Sequence, residues 1–136
     1  MLKQISVFVA NSVGTLAKAT SVLKRAEVNM RALSIADTAD FGIIRAIVDK
    51  PEDAAAMLRE AGFLVDITDV LGIKIPDRPG GLHDILEVLA DAGVAVEYAY
   101  AFGGNAAGEA CLILKVDDLQ RAMPVLRDSG VNKVEF

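Results

Sequence analysis

Apolar residues recur at Ile5, Val7 and Val9, every second position, which predicts a half-buried β-strand. From Leu16 the spacing lengthens. Leu16, Ala19, Val22, Leu23 and Ala26 share one stripe of a helix. Residues 29–37 read as a strand, 37–40 as a turn, and 43–48 as an apolar, β-branched strand. Pro51 suits the first turn of a second helix, Gly62 suits its end, and residues 64–69 read as a fourth strand. The order β-α-β-β-α-β predicts a ferredoxin-like α+β fold, an antiparallel sheet with its helices on one face.

The pattern then repeats. Shifted by 66 positions, Val7 meets Ile73, Gly14-Thr15-Leu16 meets Gly80-Gly81-Leu82, and Val22-Leu23 meets Val88-Leu89. After a two-residue lengthening, Val48-Asp49 meets Val116-Asp117, and Leu58 to Gly62 meets Leu126 to Gly130. The chain is therefore a duplication, with one domain over 1–69 and a second over 70–136. Elements of the second copy are expected at 72–75, 82–92, 94–102, 110–116 and 119–129, with a short strand near 133–136. That makes eight strands and four helices in all. Thr68-Asp69-Val70 leaves no room for a flexible linker, so close packing of the two small domains is expected.

Composition removes several function classes. Hydrophobic residues make up 53% of the chain and aromatics 5%, so the cores must be aliphatic. A net charge of −5 with scattered basic residues argues against nucleic acid as a partner. The central strands also lack the base-stacking aromatics of RNA-binding sheets. No apolar run approaches the roughly 20 residues that span a bilayer, and residues 1–11 do not make a signal peptide. One cysteine fits a reducing compartment, and the cytoplasm is expected. Surplus hydrophobicity and antiparallel sheet edges point to a homodimer.

Candidate chemistry is thin. Cys111 lies within the apolar run Ala110 to Leu114 and reads as core, while His83, the one histidine, reads as solvated. One His and one Cys cannot assemble a soft-metal site, so neither metal nor cofactor is expected. The glycine-rich run 103–108 joins two strands and lacks the Lys-Ser/Thr of a phosphate loop. Glu52, Asp53, Glu60, Asp117, Asp118 and Asp128 read as solvated helix faces. No acid–base or nucleophile constellation exists, so no enzymatic activity is expected.

Two segments remain. Asn11, Ser12, Val13, Gly14, Thr15 and Leu16, and in the second copy Asp77, Arg78, Pro79, Gly80, Gly81 and Leu82, each join a first strand to a first helix. Such a turn aims free N–H groups and the positive end of a helix dipole at one spot, which suits a carboxylate. The oxygen of Asn11 or Asp77 beside it suits an ammonium. Together they match a zwitterion, a free α-amino acid.

At these residues the chain resembles the ACT domain family, small regulatory modules attached to enzymes of amino-acid metabolism. The resemblance covers both halves. It rests on Asp77-Arg78-Pro79-Gly80-Gly81-Leu82, on Leu89-Ala90-Asp91-Ala92-Gly93-Val94, on Val28-Asn29-Met30 and on Phe41-Gly42-Ile43-Ile44-Arg45. It implies a non-catalytic, amino-acid-binding regulatory protein whose ligand sits between domains. Asp77 and the amides of residues 78–82 would form one wall, and Asn29 and Met30 the other. A partner enzyme of amino-acid metabolism is implied too. The alternative is an ACT-type pair without ligand that only dimerises or docks on an enzyme. The first loop departs from the pattern by lacking Pro before Gly14, and Ala95 stands where the first copy has Asn29, so the two pockets are expected to be unequal.

Overall fold

The computed structural model describes residues 1–37, 40–103 and 108–134. Most of the glycine-rich run, 104–107, and the end of the last expected strand, 135–136, lie outside the described residues. The elements are β1 (Leu2–Ala10), α1 (Thr15–Arg25), β2 (Met30–Asp37), β3 (Phe41–Val48), α2 (Pro51–Glu60), β4 (Leu64–Pro76), α3 (Gly81–Asp91), β5 (Val96–Phe102), β6 (Glu109–Val116), α4 (Leu119–Asp128) and β7 (Asn132–Lys133). They form two compact units, Lys3–Asp69 and Val70–Phe136, the latter taking in Met1–Leu2. Each unit is β-α-β-β-α-β, with strand order β4-β1-β3-β2 in the first and β7-β4-β6-β5 in the second.

The strand count differs from the expected eight. The fourth strand of the first unit and the first of the second are a single strand, Leu64–Pro76. Between the two expected strands stand Val70 and Leu71, 0% and 3% exposed, with neither proline nor a turn-forming pair. Nothing there ends an extended backbone. The last strand also falls one residue earlier than expected, at Asn132–Lys133.

Antiparallel register sorts the side chains onto faces. Opposite Ala46 and Ile44 stand Ile5 and Val7, and these pack with Ala19, Val22 and Leu23 of α1 and Ala54, Ala55 and Leu58 of α2. In the second unit Leu71 and Ile73 pair with Leu114 and Leu112, and pack with Ile85, Leu89, Ala122 and Leu126. Both cores are almost wholly aliphatic, as the scarcity of aromatics requires. Each fully buried Leu contributes about 1.5–3 kcal/mol over an exposed one. The exposed Lys3 ammonium has its proton affinity raised by its hydrogen bond to Asp69 at 2.6 Å.

Duplication is visible in detail. The strands after the first helices, β2 and β5, both shift register one residue in, between Met30 and Ala32 and between Val96 and Tyr98. At the start of each, a carboxylate two strands later anchors the backbone: Asp49 Oδ1 accepts from Asn29 N–H at 3.0 Å, and Asp117 Oδ1 from Ala95 N–H at 2.9 Å. Asp118 caps α4, accepting from the Arg121 N–H at 3.1 Å. Asp117 and Asp118 are thus structural acceptors as well as the accessible charges expected from sequence.

Helix ends follow the same plan with one exception. Behind α3 the left-handed residue is Gly93 at φ 75°, while its counterpart behind α1 is Glu27 at φ 55°. A side chain in that region costs about 1–2 kcal/mol, against about 0.5–1 kcal/mol of extra chain entropy lost by glycine. Glu27→Gly is therefore expected to stabilise the chain by roughly 0.5–1 kcal/mol in urea unfolding. A loss of stability would show that the Glu27 side chain makes a compensating contact. At the start of α3, a Cβ on Gly81 would run into the Pro76 carbonyl oxygen, a backbone atom that cannot swing away. Gly81→Ala should lose about 1–2 kcal/mol net, because the collision outweighs the roughly 1 kcal/mol of helix propensity that Ala adds. Unchanged stability would mean that the loop yields freely.

Candidate functional site

In both units the first strand turns into the first helix through a glycine in the left-handed region, Gly14 at φ 84° and Gly80 at φ 85°. Glycine alone adopts that angle without strain. The helix begins directly after it: Lys18 N–H reaches Gly14 O at 2.9 Å, and Asp84 N–H reaches Gly80 O at 3.0 Å. From the residue after each glycine, Thr15 N–H bonds Ser12 O at 3.3 Å and Gly81 N–H bonds Arg78 O at 3.0 Å. Among the described residues no acceptor is recorded for the N–H groups of Leu16 and Ala17, nor for those of Leu82 and His83. Two free donors at the positive end of a helix dipole suit an anion.

The flanking side chains differ. In the first loop Asn11 Nδ2 donates to Asp37 Oδ1 at 3.1 Å, at the end of β2, and its N–H reaches Asp40 O at 3.5 Å. The Ser12 and Thr15 hydroxyls bond each other at 2.7 Å, and Val13 projects into solvent. In the second loop Asp77 N–H bonds Gly108 O at 2.9 Å, but the Asp77 carboxylate has no partner among the described residues. Arg78 holds Asp84 of the first turn of α3 at 3.0 Å. Pro79, Gly80 and Leu82 are exposed, and Gly81 is buried.

The sequence-derived residues thus fall into three groups. Asn11 to Leu16 form one turn, and Asn29 and Met30 mark the start of β2, both within the first unit; Asp77 to Leu82 form the turn of the second. Asn29 is exposed with its backbone tied to Asp49, and Met30 is half-buried against the first core. Asp37, Asp49 and Asp84 were given no role by sequence. The signal for Asp49 was present, since the repeat keeps Asp at 49 and 117. Asp37 had none, because its counterpart is Gly103.

Elsewhere the chemistry is sparse. Cys111 is 5% exposed in β6, opposite Lys74 and Phe102. His83 is exposed and meets Glu87 one helical turn on at 3.3 Å. No group of three or more His, Cys, Asp or Glu side chains suited to a metal ion occurs among the described residues. No helix of the described residues is long and apolar enough to cross a membrane. A hollow of about 320 Å³ lies in the second unit between β4, β7 and α4, floored by Leu71, Ile73, Met123 and Val131, and no residue of the Asp77–Leu82 turn lines it.

Comparison with known proteins agrees with this layout. The family described as an ACT domain pair matches residues 1–136. No curated protein matches. A solved protein of Bacteroides thetaiotaomicron is 38% identical, covering 98% of this chain and 91% of its own, with a TM-score of 0.91. The regulatory subunit of aspartate kinase from Thermus thermophilus, in ligand-free form, has the same fold. Its TM-score is 0.68 at 14% identity, covering 93% of this chain and 91% of that one. The corresponding subunit from Thermus flavus gives 0.66 at 13% identity, with 94% and 92% covered. Matched from its first residue to its last, and built twice over on the β-α-β-β-α-β plan, the chain belongs to the ACT domain pair family.

Proposed function

We propose that this chain is a sensor, which binds a free α-amino acid, does no chemistry on it, and passes the occupancy on to an enzyme of amino-acid metabolism. One observation carries the reading: among the described residues neither the N–H groups of Leu82 and His83 at the start of α3 nor the carboxylate of Asp77 in the turn before it has a partner. The amides match an α-carboxylate and Asp77 an ammonium. In this reading Asp77, Arg78, Pro79, Gly80, Gly81 and Leu82 make one wall, and Asn29 and Met30 at the second strand of a neighbouring ACT domain make the other. A cytoplasmic homodimer fits the apolar composition and the exposed Leu33 and Ile35 of edge strand β2. The use of the same fold as a regulatory subunit of aspartate kinase supports the regulatory part.

Thermal-shift screening against each of the twenty amino acids tests it. A true ligand at about 100 times its dissociation constant adds roughly 2.7 kcal/mol, which is several degrees for a chain this size. No shift with any of them favours a pair that only docks on its partner. With the ligand in hand, Asp77→Ala should cost about 1.5–3 kcal/mol of binding by calorimetry, because a charge-assisted hydrogen bond is lost. Binding that survives Asp77→Ala unchanged places the ammonium elsewhere.

A further inference from the structure

The two units share one turn, but their side chains use it differently. In the first, Asn11 spends its amide on Asp37 at 3.1 Å, so the loop is pinned to the end of β2. Sixty-six positions on, Asp37 is replaced by Gly103, and among the described residues the Asp77 carboxylate has no partner. The hydroxyls of Ser12 and Thr15 satisfy each other across the first turn at 2.7 Å. The second loop carries Gly81 in place of Thr15, at a position where a Cβ would strike the Pro76 carbonyl, so no side chain stands there.

The acids of the first helical turns differ as well. The first turn of α3 contains the acidic Asp84, and that of α1 contains no acid, so the bare helix ends favour α1 for an anion. The Arg78 guanidinium at 3.0 Å offsets the Asp84 charge. What remains is the difference in side-chain partners.

We infer that the first loop has become a structural clasp, with Asn11 and Asp37 holding the β2–β3 hairpin, and that only the second loop of each chain takes up an amino acid. The ligand half rests on the sensor reading above; the clasp half rests on loop geometry alone. The two are tested separately.

Thermal unfolding without added ligand tests the clasp. Asn11→Ala and Asp37→Ala should each lower Tm by about 2–4 °C, and the double variant should lose no more than either single one, since both remove the same bond. Asp77→Ala, which breaks no side-chain bond among the described residues, should stay within about 1 °C of the parent. Equal losses for Asn11→Ala and Asp77→Ala, or additive losses at Asn11 and Asp37, overturn the clasp. Backbone amide NMR with an equimolar mixture of the twenty amino acids as the probe tests site number. The Leu82 and His83 amides should move while Leu16 and Ala17 stay. Equal movement at Leu16 and Ala17 overturns the single site. Stillness at all four overturns the single site together with the sensor reading, and the melting data still decide the clasp.

Discussion

At Gly14 and Gly80 the backbone passes through the left-handed region, and what is proposed for the chain depends on those two turns. The left-handed step lets a strand end and a helix begin within four residues, leaving the helix's leading N–H groups unspent. A β-branched or bulky residue there would carry a steric cost or reshape the turn. The aliphatic cores beneath, centred on Leu58 and Leu89, hold the strand and helix that fix the turn's two ends.

The same backbone device has been given two sets of side chains. Hydrogen bonds to Asp37 and within the Ser12–Thr15 pair close the first loop on itself. Among the described residues the second keeps the Asp77 carboxylate without a partner, and an ion pair set aside on Arg78 and Asp84. Exposed ion pairs contribute little to stability, so the Arg78–Asp84 pair matters more for cancelling a charge near the helix end than for holding the loop. Duplication left the scaffold nearly unchanged, down to the matched register shifts in β2 and β5, and let the loops diverge.

Most of the fold was legible because its signals are local. Period-two and helical spacing, Pro51 at a helix start and Gly62 at a helix end each act within a few residues. The 66-residue offset then doubled the reading. The fused strand Leu64–Pro76 was not legible, because the repeat assigns residues 64–69 to one copy and 72–75 to the next, while buried Val70 and Leu71 carry the strand through. The two turns are legible by position, and their inequality is legible in the missing proline, in Ala95 and in the charge of Asp77 against the neutral Asn11. The Asn11–Asp37 bond spans 26 residues and depends on where β2 ends, which no local pattern states. Asp49 and Asp117 were seen to align, yet their task of anchoring the backbone of Asn29 and Ala95 needed the strands placed side by side.

The central claim is that this ACT pair retains a free amino acid and leaves it chemically unchanged. Equilibrium dialysis of the purified chain against a mixture of the twenty amino acids, followed by chromatography of the retained fraction, measures that directly. The account predicts enrichment of one amino acid, or one side-chain class, approaching one molecule per chain and recovered intact. Retention of none, or recovery of a converted product, would contradict it.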